Sequence, residues 1–252
     1  MAVLDQFYQM WAASRGRPDA NTTNQLKEAV QFARNPQPED VAWLLRTLLD
    51  DQRKLFVAYL LRLAESFPEP LFEGMMHAAV YELNPSVSRS FVEPCIKAYG
   101  QVPVIDRLMK SVRMGTDFEK AGAINALHWT FNEKGQSEMT YRASTDTALD
   151  ELVSQRRMLV LDTFLESTDV DVQRSAISQL ELEPLLYPAQ YKERIEKAIQ
   201  TGRASTDEYV RHRIEVQMGR AKSVYPLPQR RPAGYEAPPQ PARKSWWQQL
   251  WK

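Results

Sequence analysis

Thr168-Asp169-Val170-Asp171-Val172-Gln173-Arg174-Ser175-Ala176-Ile177-Ser178-Gln179-Leu180 is the stretch from which the fold is read. Two acids open it. Apolar residues then return three and four positions apart, which places them on one face of a helix. Asp at a helix start accepts backbone N–H bonds that have no partner within the helix, and it favours the positive end of the helix dipole. The same opening recurs. Thr206-Asp207-Glu208-Tyr209-Val210-Arg211 repeats it, and Thr116-Asp117-Phe118-Glu119-Lys120-Ala121 and Asp50-Asp51-Gln52-Arg53 follow it more loosely. Recurrence at this spacing marks helical units that cannot bury their faces alone and must stack.

Working outward, Leu4, Phe7, Tyr8 and Trp11 form an apolar stripe in the first segment, and Val41, Leu44, Leu45 and Leu48 form another after Pro38-Glu39-Asp40. Leu55, Tyr59 and Leu63 continue beyond the Asp50-Asp51 turn. Further helices are expected near 22–34, 69–82, 86–99, 103–114, 117–131, 145–165, 169–182, 188–201 and 206–221. That makes about a dozen helices and no alternating strand, so the fold class is all-α. Taking Asp51, Ser88, Asp117, Asp171 and Asp207 as second-helix starts gives separations of 37, 29, 54 and 36 residues. The long interval holds a polar stretch, 132–147, read as a loop or insertion.

The Asp169–Leu180 stretch resembles the second helix of a HEAT repeat, in which an acidic turn precedes valine, arginine, alanine and leucine at helical intervals. The resemblance spans about residues 37–219 and is close only in this copy; Asp207–Met218 lacks the alanine and Ser86–Tyr99 lacks the acidic start. It implies an α-solenoid of about six antiparallel helix pairs over residues 1–223, with second helices lining the concave face. It also implies a ladder of acidic and basic side chains between units. By position, the matching basic residues are Arg53, Arg89, Lys120, Arg174 and Arg211. Two roles are open to them: satisfying neighbouring turns, or contacting a protein partner.

From Val224 the texture changes. Pro226, Pro228, Pro232, Pro238, Pro239 and Pro241 interrupt any helix, so 224–244 is expected to be a disordered, solvated linker, and deletion of 224–252 is expected to leave the fold nearly unchanged. Pro238-Pro239-Gln240-Pro241 would also suit a polyproline-reading domain. The chain then reaches Ser245-Trp246-Trp247-Gln248-Gln249-Leu250-Trp251-Lys252. As a helix this segment sets Trp246, Trp247, Leu250 and Trp251 on one face, but 245–252 is too short to be stable without a support. A partner groove, a membrane interface or the end of the solenoid itself would each receive it.

Lys plus Arg equal Asp plus Glu at 32 each, yet from Arg220 onward seven basic residues face one acid, so the preceding body carries the opposite surplus. An acidic body argues against nucleic acid as partner. A single cysteine, Cys95, excludes an internal disulfide. The Met1 start shows no basic segment before an apolar run, and no stretch approaches the roughly 18 apolar residues of a spanning helix. A cytoplasmic protein is expected, with the inner membrane face as an alternative site.

Signs of catalysis are sparse. His77, His128 and His212 are dispersed and belong to no metal-binding spacing; there is no GxSxG, no phosphate loop, and no His-Glu dipeptide of the kind found in HEAT-repeat hydroxylases. No cofactor, metal or catalytic residue is expected. HEAT-like alkylpurine DNA glycosylases remain an alternative, for which Trp43, Trp129, Asp117, Arg89, Arg113, Arg156, Arg157 and Arg174 would supply aromatic, acidic and basic groups. A chromophore lyase of similar fold is a weaker one, resting on fold analogy. The leading expectation is a non-catalytic scaffold or adaptor.

Overall fold

The computed structural model describes residues 2–14, 18–130, 147–222 and 227–232. Twelve α-helices and no strand occur among them. In chain order they are α1 (Ala2–Ala13), α2 (Ala20–Arg34), α3 (Pro38–Leu48), α4 (Lys54–Ala64), α5 (Glu69–Tyr81) and α6 (Pro85–Tyr99), followed by α7 (Gln101–Met114), α8 (Asp117–Leu127), α9 (Thr147–Glu166), α10 (Val170–Ile177), α11 (Lys192–Ala204) and α12 (Glu208–Gln217). The polar stretch 132–146 and the terminal 245–252, with Trp246, Trp247, Leu250 and Trp251, lie outside the described residues.

Starts and stops follow local chemistry. Asp19, Asn84, Thr116, Asp169 and Asp207 each accept a backbone N–H from the first turn of the helix they precede. Pro occupies an early helical position in α3, α5 and α6, where its missing N–H costs nothing. The expected start at Ser88 is corrected to Asn84 and Pro85: Ser88 lies one turn inside α6, buried, with its hydroxyl donating to the Pro85 carbonyl at 2.7 Å. The expected cap at Asp51 is corrected as well. Arg53 holds the cap position of α4, while Asp51 pairs with Lys54 at 2.6 Å. Helix α10 ends at Ile177 rather than near 182, and Glu183 is extended before Pro184.

Helices α1 and α2, α3 and α4, α5 and α6, α7 and α8, α9 and α10, and α11 and α12 are in contact, and from α2 onward helices also touch the next but one. Helices α3, α5, α7, α9 and α11 touch in succession, as do α2, α4, α6, α8, α10 and α12. One continuous apolar core runs between these rows, with Phe56, Phe91 and Phe164 fully buried. Each such side chain contributes about 1.5–3 kcal/mol relative to exposure. Helix α8 is enclosed over most of its length: every residue from Ala121 to Leu127 is buried, and it contacts α5, α6, α7 and α10. Its alanines and Gly122 allow this crowding. A Cβ on Gly122 would collide with the Val80 carbonyl of α5 and with the Arg230 guanidinium.

Candidate functional site

The acidic caps that identify the helix starts also build a connected polar constellation among the described residues. Asp169 Oδ1 accepts the N–H groups of Asp171 and Val172 at 2.8 and 3.1 Å, leaving Oδ2 turned outward. Asp171 is itself buried and accepts Arg174 Nη1 at 3.3 Å. Arg174 then crosses to the start of α12, placing Nη2 at 2.6 Å and Nε at 3.1 Å from Asp207 Oδ2. Asp207 in turn caps α12 through the Val210 N–H at 3.0 Å. Each acid serves both its own helix and a neighbouring arginine.

Against the free side of this row lies the segment 227–232, Leu-Pro-Gln-Arg-Arg-Pro. Arg231 donates from Nη2 to Asp169 and from Nε to Asp171, both at 2.7 Å, and its backbone N–H reaches Asp171 at 3.2 Å. Hydrogen bonding and charge from Asp171, then Asp169, outweigh partial burial and raise the Arg231 pKa.

Arg230 turns the other way and is only 4% exposed. Its Nη1 donates to the Phe118 carbonyl at 2.7 Å; its Nη2 donates to the carbonyls of Val80 and Glu82 at 2.8 and 2.7 Å. Val80 is in the last turn of α5, where carbonyls lack helical partners and the helix dipole is negative. The guanidinium also lies 4.5 Å from the centre of the Phe118 ring, within range of a cation–π contact. Burial pulls its pKa down to about 10, opposed by the Asp171 and Glu82 carboxylates, so it stays charged at neutral pH.

Residues 224–244 were expected to be a solvated linker. For 227–232 that expectation is corrected: proline keeps the segment out of a helix, but two adjacent arginines meet complementary acceptors on α5, α8 and α10. A small cavity of about 180 Å³ remains beside the segment, walled by Phe118, Ala121, Asp169 and Asp171.

Below the groove, Glu82 joins it to a buried ion pair. Lys54 Nζ lies 2.9 Å from Glu82, and both side chains are about nine-tenths covered. Burial works to lower the Lys54 pKa, but hydrogen bonds to Asp51 and Glu82 raise it on balance.

The five predicted ladder residues do not form one row. Arg174 bridges Asp171 of its own helix and Asp207 at the start of α12. Arg53 instead ties α4 to α1, with Asp5 at 3.1 Å and the Tyr8 ring 4.6 Å away. Arg89 pairs with Glu93 in its own helix and lies over Trp129. Lys120 faces Asp117 one turn away at 3.6 Å, and Arg211 donates to the Ser205 carbonyl at 2.6 Å. In the sequence, Arg230 and Arg231 count only toward the charge of the tail. A pair of arginines within a proline-rich stretch, opposite in sign to the body, was the signal that pointed to them.

Other candidates show less convergence. A cleft of about 430 Å³ is lined by Trp11, Tyr59, Arg62, Arg89 and Glu93 among others. Trp43 is buried edge-on against Phe56, and the Trp129 indole donates to the Pro85 carbonyl at 2.7 Å. Arg156 is buried, and Arg157 lies 3.0 Å from Glu181. Arg113 and Asp117 line a separate cleft with Lys120, Asp162 and Glu166. Cys95 is fully buried and burial pushes its thiol well above the usual range, so it is a core residue rather than a thiolate. Among the described residues, no group of His, Cys, Asp and Glu is arranged to hold a metal, and no helix is long and apolar enough to cross a membrane. Comparison of the chain with protein-family models, with curated proteins and with solved structures finds no match.

Proposed function

We propose that this chain is a HEAT-like α-solenoid acting as a non-catalytic scaffold or adaptor for another protein. The six pairs are α1/α2, α3/α4, α5/α6, α7/α8, α9/α10 and α11/α12. The observation that carries the reading is the bridge from Asp171 through Arg174 to Asp207, which ties the first turn of α10 to the cap of α12. The contact of helices from α2 onward with the next but one supports it, since units stacked in this way leave long side surfaces for a partner. The protein partner is held by such a surface together with Trp246, Trp247, Leu250 and Trp251. The setting is the cytoplasm, and no cofactor is required.

Affinity capture from extracts of the source cell tests this, comparing the intact chain with a Trp246→Ala, Trp247→Ala, Trp251→Ala variant. The same few proteins should be enriched by the intact chain and depleted by the variant. Recovery of only those proteins that an unrelated helical control also captures defeats the adaptor reading.

A further inference from the structure

We propose that the groove between α5, α8 and α10 is a receptor for an extended peptide bearing two adjacent arginines, and that the chain's own Arg230-Arg231-Pro232 occupies it in cis. The inference is independent of the adaptor reading, because it needs only the groove and its present occupant.

The site is built on both sides of the peptide. One arginine pocket is made of peptide dipoles: the carbonyls of Val80 and Glu82 at the end of α5 and that of Phe118 in α8, with the Phe118 ring alongside. The other is made of carboxylates, Asp169 and Asp171, each held by bonds within the helical body. A planar guanidinium with a fork of donors fits two diverging carbonyls better than a lysine ammonium does. The Arg231 N–H bond to Asp171 adds main-chain recognition, which fixes the peptide's register. Adjacent side chains of an extended segment point to opposite sides, so one Arg-Arg pair fills both pockets. Gly122 keeps the first pocket open, since a Cβ there would occupy the place of the guanidinium.

The occupant is tethered by four residues, 223–226, after Lys222. A tether this short gives an effective concentration on the order of millimolar or more. A partner's Arg-Arg segment must therefore outcompete the strap, or act when the strap is withdrawn. The chemistry of the partner is thus specified: an extended segment with paired arginines, received by a surface that the chain keeps covered.

The test uses the full chain carrying Arg230→Ala and Arg231→Ala, which vacates both pockets, and a fluorescent peptide of sequence Leu-Pro-Gln-Arg-Arg-Pro followed by anisotropy. The peptide should bind the vacated chain saturably and the unaltered chain at least about tenfold more weakly, because the cis strap competes. Adding Asp169→Asn and Asp171→Asn to the vacated chain should weaken binding by about tenfold or more, while asparagine still caps the helix. A Lys-Lys peptide should bind less well than the Arg-Arg peptide. No saturable binding to a vacated chain of unchanged circular dichroism overturns the proposal. If the vacated chain loses its helix signal, hydrogen exchange on the unaltered chain decides instead. Excess peptide should then speed exchange of the Arg231 amide in a saturable way, and an unchanged rate overturns the proposal. A concentration-dependent dimer that ignores free peptide assigns the groove to exchange between copies and likewise overturns it.

Discussion

Arg230 carries its charge into a site where its hydrogen bonds go to peptide carbonyls, while Arg231 beside it pairs directly with two carboxylates. The difference sets their energetic weights. Removing a buried charged donor loses its bonds and leaves the Val80 and Glu82 acceptors unsatisfied, at roughly 1.5–3 kcal/mol for charge-assisted bonds in such a setting. Arg231 is about one-third exposed, and pairs this accessible to water contribute on the order of 1 kcal/mol or less. Arg230→Ala is therefore expected to lower stability by about 2–3 kcal/mol, with Arg231→Ala costing about 1 kcal/mol. Urea midpoints of the two variants measure both. Arg230→Lys should recover only part of the loss, because an ammonium does not span the three carbonyls in one plane. Equal midpoints for Arg230→Ala and Arg231→Ala would show that the carbonyl pocket adds little.

At the scale of the element, the caps set where helices begin and how α8 and α10 respond to change. Asp169 holds two N–H groups of α10 as well as Arg231, so Asp169→Ala should cost about 1–2 kcal/mol from the cap alone. Asp169→Asn should restore most of that, read as a shift in melting temperature. Helix α8 begins with a capping box: Glu119 accepts the Thr116 N–H at 2.8 Å and its hydroxyl at 2.9 Å, and the Tyr81 hydroxyl adds a bond at 3.1 Å. These bonds, the Thr116 backbone bond first, hold the Glu119 carboxyl below its ordinary range. A lowered carboxyl pKa gives stability that is fully present above the unfolded value and lost as pH falls below it. Glu119→Gln should thus lower the urea midpoint at pH 7 and matter less below about pH 4; an equal effect at both pH values would show that the charge is irrelevant. Much of this layer was legible in the sequence. Thr116, Asp169 and Asp207 announce their helices by side-chain chemistry that acts over three residues. Asn84 followed by Pro85 is a start signal in its own right, four residues ahead of the Ser88 expected from the repeat spacing. The docking of Arg230 could not be read locally, since its acceptors are backbone carbonyls supplied by α5 and α8, and every sequence carries such carbonyls.

At the scale of the whole molecule, helices touch chain neighbours and, from α2 onward, the next but one, and in the stacked array proposed for them stability is mainly a sum over adjacent units. Arrays of that kind can open at one end before the other. The strap acts against this, because Arg230 bonds to carbonyls 148 and 150 residues away while Arg231 clamps the cap of α10. It joins α5, α8 and α10 from outside the helix-to-helix ladder. Closing so long a loop has an entropic cost that rises only slowly with length, so a few charge-assisted bonds suffice to hold it. Deletion of residues 224–252 should therefore do more than remove a solvated linker. The intact chain is expected to unfold in urea with coincident transitions by helix signal and tryptophan fluorescence. The truncated chain should show a lower first midpoint and separated transitions, as α9–α12 and α1–α8 part company. Arg230→Ala together with Arg231→Ala should reproduce that separation in the full-length chain, which assigns it to the two arginines rather than to the remaining tail. A truncated chain that unfolds at the same midpoint in a single coincident step would show that the strap lies on the surface without coupling the units beneath it.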